Sequence, residues 1–355
     1  MRKVAGSVLT VLFGMQGGRE MRKVAGSVLV LLLAAALISV AAACGSSGSS
    51  STSTSPSAST GAKKVYQITL VTDDQFDPYY LTLNRGAQDE AKKLGVKVTF
   101  QAPQTPDVPS ETSVLQAVMA RKPDGLIASA VDAKAMVVPF QAIKNAGVPI
   151  IMVDSALADP TIALTSIMSD NTSNGLKAAE LMNGLLGGKG KVGYEGYIPG
   201  IKSVDDRFNG WKAGLKKYPG LVDIGQQYDK GEIAQAAAST DALLARNPDL
   251  AGMFGSWTNA TIGVATAVQN AGKAGKVKIV GMDGAPDEVK LLKQGVVSAL
   301  IVQKVYTMGQ LAVQHMVDYL QNGTLPESKE ILLDSVAVTP DNVDSPDITP
   351  YLYGK

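Results

Sequence analysis

The chain has 355 residues, 45% of them apolar and 18% charged, a globular composition long enough for two domains with separate cores. Its formal charge of +1 hides an asymmetry: residues 1–43 carry five Lys/Arg and one Glu, so the remainder holds 28 basic against 31 acidic residues, a net of −3. That balance argues against a nucleic-acid binder, which needs a basic footprint to neutralise phosphates, and a single cysteine, Cys44, with a single histidine, His315, excludes a disulfide, a Cys/His zinc site and a cysteine–histidine dyad within the chain.

The N-terminus reads as an address. Met1 to Leu9, MRKVAGSVL, recurs unchanged at Met21 to Leu29, and we take Met21 as the functional start. From there Arg22 and Lys23 form a basic region, Val28 to Val40 an apolar one, and Ala41 to Ala43 a small-residue cleavage site before Cys44. The apolar run falls short of the roughly 20 residues a membrane-spanning helix needs, so residues 1–43 are expected to be a signal peptide. Residues 44–62 follow as a tether of Ser, Thr, Gly, Ala and Pro that cannot bury enough apolar surface to order itself. As a flexible chain it would span roughly 20 to 25 Å.

From Val65 onward, short β-branched runs alternate with segments of helical period, the pattern of βαβ units and parallel sheets. A strand over Val65 to Thr72 precedes a helix whose stripe is Tyr80, Leu83, Ala87, Ala91 and Leu94, stopped by Gly95. Strands at Val96 to Phe100, Gly125 to Ala130 and Val148 to Val153 follow, with helices around Leu115 to Met119 and over Met136 to Asn145, and these four strands are expected to make one lobe. After a polar stretch the second series begins with a helix over Asn174 to Leu186. It continues with a strand over Lys191 to Tyr194, a helix over Asp205 to Lys217, a strand ending at Tyr228 and a helix over Ile233 to Arg246. A strand over Ala251 to Phe254 and a helix over Ala260 to Asn270 lead to the strand ending at Asp283 and a last one, Val297 to Val302, that delivers Gln303. Gly188, Gly190 and Gly193 spell G-x-G-x-x-G, but they precede a strand and so have no phosphate-binding meaning. His315 lies in an apolar-periodic helix pattern with no strand end nearby, which makes it a structural histidine.

In open α/β sheets ligands bind outside the carboxyl ends of the strands. Those ends carry Asp77, Tyr79 and Tyr80, then Ser129, Asp154 and Ser155, the loop leading to Arg207, and finally Tyr228, Trp257, Asp283 and Gln303. Charged planar groups bind sugar hydroxyls bidentately and aromatic rings lie on sugar C–H faces. A chain with 5% aromatics places four of them here.

The residues DPYY at Asp77 to Tyr80, DGLIASAVDA at Asp124 to Ala133, NAGVPIIMVDS at Asn145 to Ser155, SDN at Ser169 to Asn171, DRFNGW at Asp206 to Trp211 and VGMDGAPD at Val280 to Asp287, in that order and spacing, resemble the ribose-binding type of periplasmic sugar-binding protein, the solute receptor of ABC importers. The resemblance implies an α/β fold of two doubly wound parallel-sheet lobes joined by three hinge crossings, near Ser169, Gln303 and Leu332 to Leu333 (periplasmic-binding-protein type I). It places residues 63–169 with 304–332 in the N-terminal lobe and 170–303 with 333–355 in the C-terminal lobe. It makes Tyr79 and Tyr80 ring-stacking groups, Asp154, Arg207, Asp283 and Gln303 hydroxyl-binding groups, and Tyr228 a further ligand contact. Asp77 stands where ribose binders carry asparagine, Ser155 where they carry arginine and Trp257 where they carry asparagine, a change that disfavours an acidic sugar and adds apolar surface. VAAAC-G around Cys44 likewise resembles a lipoprotein cleavage box, with Ala41 where leucine is usual, and implies a lipid on Cys44 and residence at the outer face of the cytoplasmic membrane, or in the periplasm. The expectation is therefore a monomeric, non-enzymatic receptor, without cofactor or metal, that takes a small neutral sugar or polyol and delivers it to an ABC permease. A receptor for a polyol or a furanose-like signal molecule is the alternative on the same fold. A regulator of the lactose-repressor type lacks its headpiece here, and a glycosidase would need only carboxylates that sugar receptors also carry.

Overall fold

The computed structural model describes residues 64–354; the leader, Cys44 and the Ser/Thr-rich tether lie outside the described residues. In chain order the first series is β1 (Gln67–Val71), α1 (Pro78–Leu94), β2 (Lys97–Gln101), α2 (Val108–Ala120), β3 (Gly125–Ala128), α3 (Val137–Asn145), β4 (Ile150–Val153) and β5 (Thr165–Ser169). The second is α4 (Asn171–Leu185), β6 (Gly190–Gly196), α5 (Lys202–Leu215), β7 (Leu221–Tyr228), α6 (Ile233–Arg246), β8 (Leu250–Gly255), α7 (Thr258–Asn270), β9 (Lys278–Met282), α8 (Pro286–Lys293) and β10 (Ala299–Val302). The tail supplies α9 (Val305–Asn322), β11 (Glu330–Leu333) and β12 (Val336–Val338).

The strands make two six-stranded sheets, one ordered β11-β5-β4-β3-β1-β2 and wholly parallel, the other β12-β10-β9-β8-β6-β7 with only β12 antiparallel. Every residue of β3 (GLIA) and β4 (IIMV) is buried, as a parallel strand covered on both faces requires. In each sheet the order reverses beside its first strand, between β1 and β3 and between β6 and β8, which opens a crevice at the carboxyl ends. The chain passes from one sheet to the other three times: from β5 into α4, from β10 into α9, and from β11 to β12. Lys304 and Asp334 pair at 2.6 Å across two of these passages, and Lys177 Nζ donates to the Ser335 carbonyl.

Local chemistry sets the element ends. Asp77 caps α1 by accepting from the Tyr79 N–H at 2.8 Å, Pro78 opens the helix, and Gly95 closes it at φ 71°. The expected stripe faces the core, with Tyr80, Leu83, Ala87 and Ala91 buried. α1 packs closely on α9 because neither helix carries a side chain at the crossing: a Cβ on Gly86 would meet the Tyr306 carbonyl, and one on Gly309 the Leu83 carbonyl. His315 sits half-buried on α9.

Three strands escape the sequence pattern: β5, and in the tail β11 and β12, which pair with β5 and β10. The stretch after Asp154 reads as polar, yet β5 (TSIMS) is buried at all five positions because it lies inside the sheet, between β4 and β11. Its hydroxyls imitate loop chemistry while one of them, Thr165 Oγ1, donates to the Ser328 carbonyl. The first sheet therefore has six strands where four are expected. Helix α4 starts at Asn171 in place of Asn174 because Asp170 caps it, accepting from the Ser173 N–H at 2.9 Å.

Candidate functional site

A cavity of about 190 Å³ lies between the carboxyl ends of the two sheets. Nine of the eleven ligand-binding residues expected from sequence line it: Asp77, Tyr79, Tyr80, Asp154 and Ser155 from the first lobe, and Arg207, Trp257, Asp283 and Gln303 from the second and its crossing. Ser129 and Tyr228 do not. Ser129 is fully buried beneath the floor, and the half-buried Tyr228 hydroxyl accepts from Gln226 Nε2 at 3.1 Å at the end of β7. A second recess of about 740 Å³ on the side of the crossings shares Asp154 and Ser155 with the cavity and reaches Asp170 and Leu332. Of the ligand-binding residues expected from sequence, only Asp154 and Ser155 line this larger recess.

Asp154 ends β4 and Asp283 ends β9, and both hold left-handed backbones, φ 61° and 89°. The tyrosine hydroxyls of α1 meet the first of them: Tyr79 donates to Asp154 Oδ1 at 2.8 Å and Tyr80 to Oδ2 at 2.9 Å. Besides offering rings, the two tyrosines thus orient a carboxylate. Burial pushes the Asp154 carboxyl up, the two hydroxyls and the Arg207 charge hold it down, and Asp283 adds a smaller upward push. The same burial raises both tyrosines well above their ordinary range, reinforced by the Asp154 charge.

On the opposite wall Arg207, 7% exposed, is held by Asn171: Nε donates to its Oδ1 at 3.2 Å and Nη2 at 2.5 Å, while Nη1 donates to the Ser256 carbonyl. Asp283 Oδ1 accepts from Gln303 Nε2 at 2.7 Å and from the Tyr353 hydroxyl at 2.9 Å. Trp257, at the start of α7, donates its Nε1–H to Asp229 Oδ2 at 2.9 Å, and its ring lies against Tyr197 with centroids 4.9 Å apart. The first lobe offers the edge-to-face pair Tyr79–Tyr80, 5.1 Å between centroids. The cavity is therefore flanked by two aromatic pairs, with carboxyl groups on both walls and one guanidinium on the second.

Sequence reasoning misses four contributors. Asp73 lines the cavity at the end of β1 and is pushed up to about 7 by burial and the Asp154 charge; it obeys the same rule, an acid just past a strand, that picks out Asp283. Tyr197 follows β6 in the same way. Asn171 stands in the SDN motif, but its task of orienting Arg207 appears only when α4 and α5 pack together. Tyr353 lies 70 residues from Asp283 in the chain and returns only through the tail. Among the described residues no group of three or more His, Cys, Asp or Glu side chains is placed to hold a metal ion.

Known proteins share the fold. The chain is 27% identical to the D-allose-binding periplasmic protein of Escherichia coli over 295 residues, covering 79% of this chain and 94% of that one. It is 25% identical to the ribose import binding protein of Bacillus subtilis over 264 residues, 74% of this chain and 84% of that one. Among solved structures, an ABC transporter solute-binding protein of Agrobacterium vitis bound with α-D-tagatopyranose superposes with a TM-score of 0.78 at 30% identity, covering 82% of this chain and all of the other. The family described as periplasmic binding protein domain matches residues 68–324, and with two parallel-sheet lobes facing one cavity, the chain belongs to the periplasmic binding protein family.

Proposed function

We propose that this protein is the solute receptor of an ABC importer, that it captures a monosaccharide between its two lobes, and that it hands the sugar to a membrane permease. The observation that carries the reading is the convergence of Asp154, Arg207 and Asp283 from opposite walls on a space of about 190 Å³ flanked by two aromatic pairs. Carboxylates and a guanidinium grip ring hydroxyls, and aromatic faces take the C–H surface. The sugars named for its relatives support the class. In this reading the lobes comprise residues 63–169 with 304–332 and 170–303 with 333–355, Met21 starts the chain, and a lipid on Cys44 holds the monomer at the outer face of the membrane. Ser129 and Tyr228 act from behind the cavity wall.

A thermal-shift screen with pentoses, hexoses and polyols tests the ligand class, since a ligand at 100 times its Kd stabilises by about 2.7 kcal/mol. Stabilisation by polyols alone would replace the sugar with the alternative solute, and no response to any pentose, hexose or polyol, substituted or not, would overturn the reading. Mass spectrometry of the membrane fraction tests the anchor: a diacylglyceryl-modified Cys44 at the mature N-terminus is expected, and an unmodified one refutes it.

A further inference from the structure

We propose that the captured solute is an amino sugar, its ammonium group held on the first-lobe wall by Asp73 and Asp77 beside Asp154. This rests on the sugar-binding reading and departs from the neutral solute expected from sequence. The cavity lining holds four carboxyl groups, Asp73, Asp77, Asp154 and Asp283, against one cationic side chain, Arg207, whose guanidinium is already engaged by Asn171 and the Ser256 carbonyl.

The hydrogen-bond census leans the same way. Four donors facing the cavity are committed within the protein, the Tyr79 and Tyr80 hydroxyls to Asp154, Trp257 Nε1 to Asp229 and Gln303 Nε2 to Asp283, while the hydroxyls of Ser155, Tyr197 and Ser203 also line it. One acceptor is left over: Gln303 is 4% exposed and its Oε1 is buried without a hydrogen-bond partner, whereas Asp73 faces the hydroxyls of Ser129 and Tyr80. A buried acceptor without a donor costs free energy that a donating ligand recovers. An ammonium group donates three hydrogen bonds, accepts none and carries the missing charge. A carboxylate or phosphate would add negative charge where it is already in excess, and a neutral hydroxyl would supply the donor but not the charge.

Titration behaviour is consistent with that assignment. The groups that face Asp73 are Asp74, Asp154 and Glu111, with the hydroxyls of Ser129, Tyr80 and Tyr197, and none is cationic. Burial first, then Asp154, pushes Asp73 up to about 7, and burial raises Asp77 to about 6, with Asp283, Asp74 and Asp154 adding to it. An ammonium ion beside them favours the ionised form that burial disfavours.

The test is calorimetry on the full chain with D-glucose, D-galactose and D-mannose, their 2-amino-2-deoxy counterparts and the N-acetylated forms of these. At least one amino sugar is expected to bind about tenfold or more tightly than both its neutral parent and its N-acetyl form, as a charge-assisted hydrogen bond gives. In Asp73→Asn and Asp77→Asn, each checked for parental melting, that ratio should fall toward one. Neutral sugars that bind as tightly as the amines overturn this inference and leave the sugar reading standing. If no sugar of any kind binds, the sugar reading falls with it.

Discussion

At Asp154 and Asp283 the backbone enters the left-handed region, which a side chain other than glycine or asparagine adopts at a cost of about 1 to 3 kcal/mol. Both residues stand just past a strand with their carboxylates turned into the cavity and already bonded, Asp154 to two tyrosines and Asp283 to Gln303 and Tyr353. The surrounding hydrogen bonds hold the strained turn, and the turn aims the carboxylate. Hydrogen bonds to charged groups contribute about 1.5 to 3 kcal/mol, so Arg207→Ala or Asp283→Ala should weaken sugar binding roughly 10- to 150-fold by calorimetry while the fold persists. Arg207→Lys should not restore affinity, because the planar fork that rests on Asn171 Oδ1 has no counterpart in an ammonium point charge. Tyr353→Phe removes one neutral donor from Asp283, worth about 1 kcal/mol, and should cost roughly fivefold in affinity. At this scale Asp154 and Asp283 were legible, since a sequence announces where a strand stops, although Asp73 past β1 was passed over. The partners were not: Tyr79 and Asp154 are 75 residues apart, and nothing local states that a ring expected to stack also donates its hydroxyl to that carboxylate.

Elements bring their own consequences. Helix α2 reaches the cavity indirectly, because buried Glu111 accepts from the Val131 N–H at 2.9 Å and so fixes a loop that lines it. Burial pushes Glu111 from 4.5 up to about 8, and Asp73 and Asp77 are raised to about 7 and about 6. A carboxyl whose folded pKa exceeds its unfolded one binds its proton more tightly when native, so its contribution is complete below the unfolded pKa and is lost as pH rises through the folded one. The melting temperature of the ligand-free protein should therefore fall between about pH 5 and about pH 8. Glu111→Gln, which keeps an oxygen for the Val131 N–H, should flatten that fall in a calorimetric pH series. At the α1–α9 crossing, Gly86→Ala places a methyl against the Tyr306 carbonyl, and overpacking of this kind costs about 1 to 3 kcal/mol, visible as a lower denaturation midpoint. Helix α6, Ile233–Arg246, has the limits its apolar period predicts, whereas β5 was hidden because a strand covered on both faces shows no alternation and this one is half hydroxyl-bearing.

For the whole molecule, a sugar gripped from both walls can enter and leave only if the three passages between the sheets bend. The closed population should rise with ligand, and small-angle scattering should register a smaller radius of gyration at saturation; identical profiles with and without sugar would count against closure. The pair Lys304–Asp334 cannot lock the hinge by itself, because the Asp334 side chain is 78% exposed and such ion pairs contribute about 0 to 1 kcal/mol. By itself the sequence determined the alternation of strands and helices, the doubly wound class, and the acids, amides and rings waiting at the strand ends, because each follows from periodicity and turn chemistry within a dozen residues. Only the tertiary structure decided that β5 and β11 complete the first sheet, that Asn171 orients Arg207, that Tyr353 returns to Asp283, and that carboxyl groups outnumber cations in the cavity. Those are matters of which surfaces meet, and a chain folded from two interleaved halves brings together residues whose local sequence carries no mark of one another.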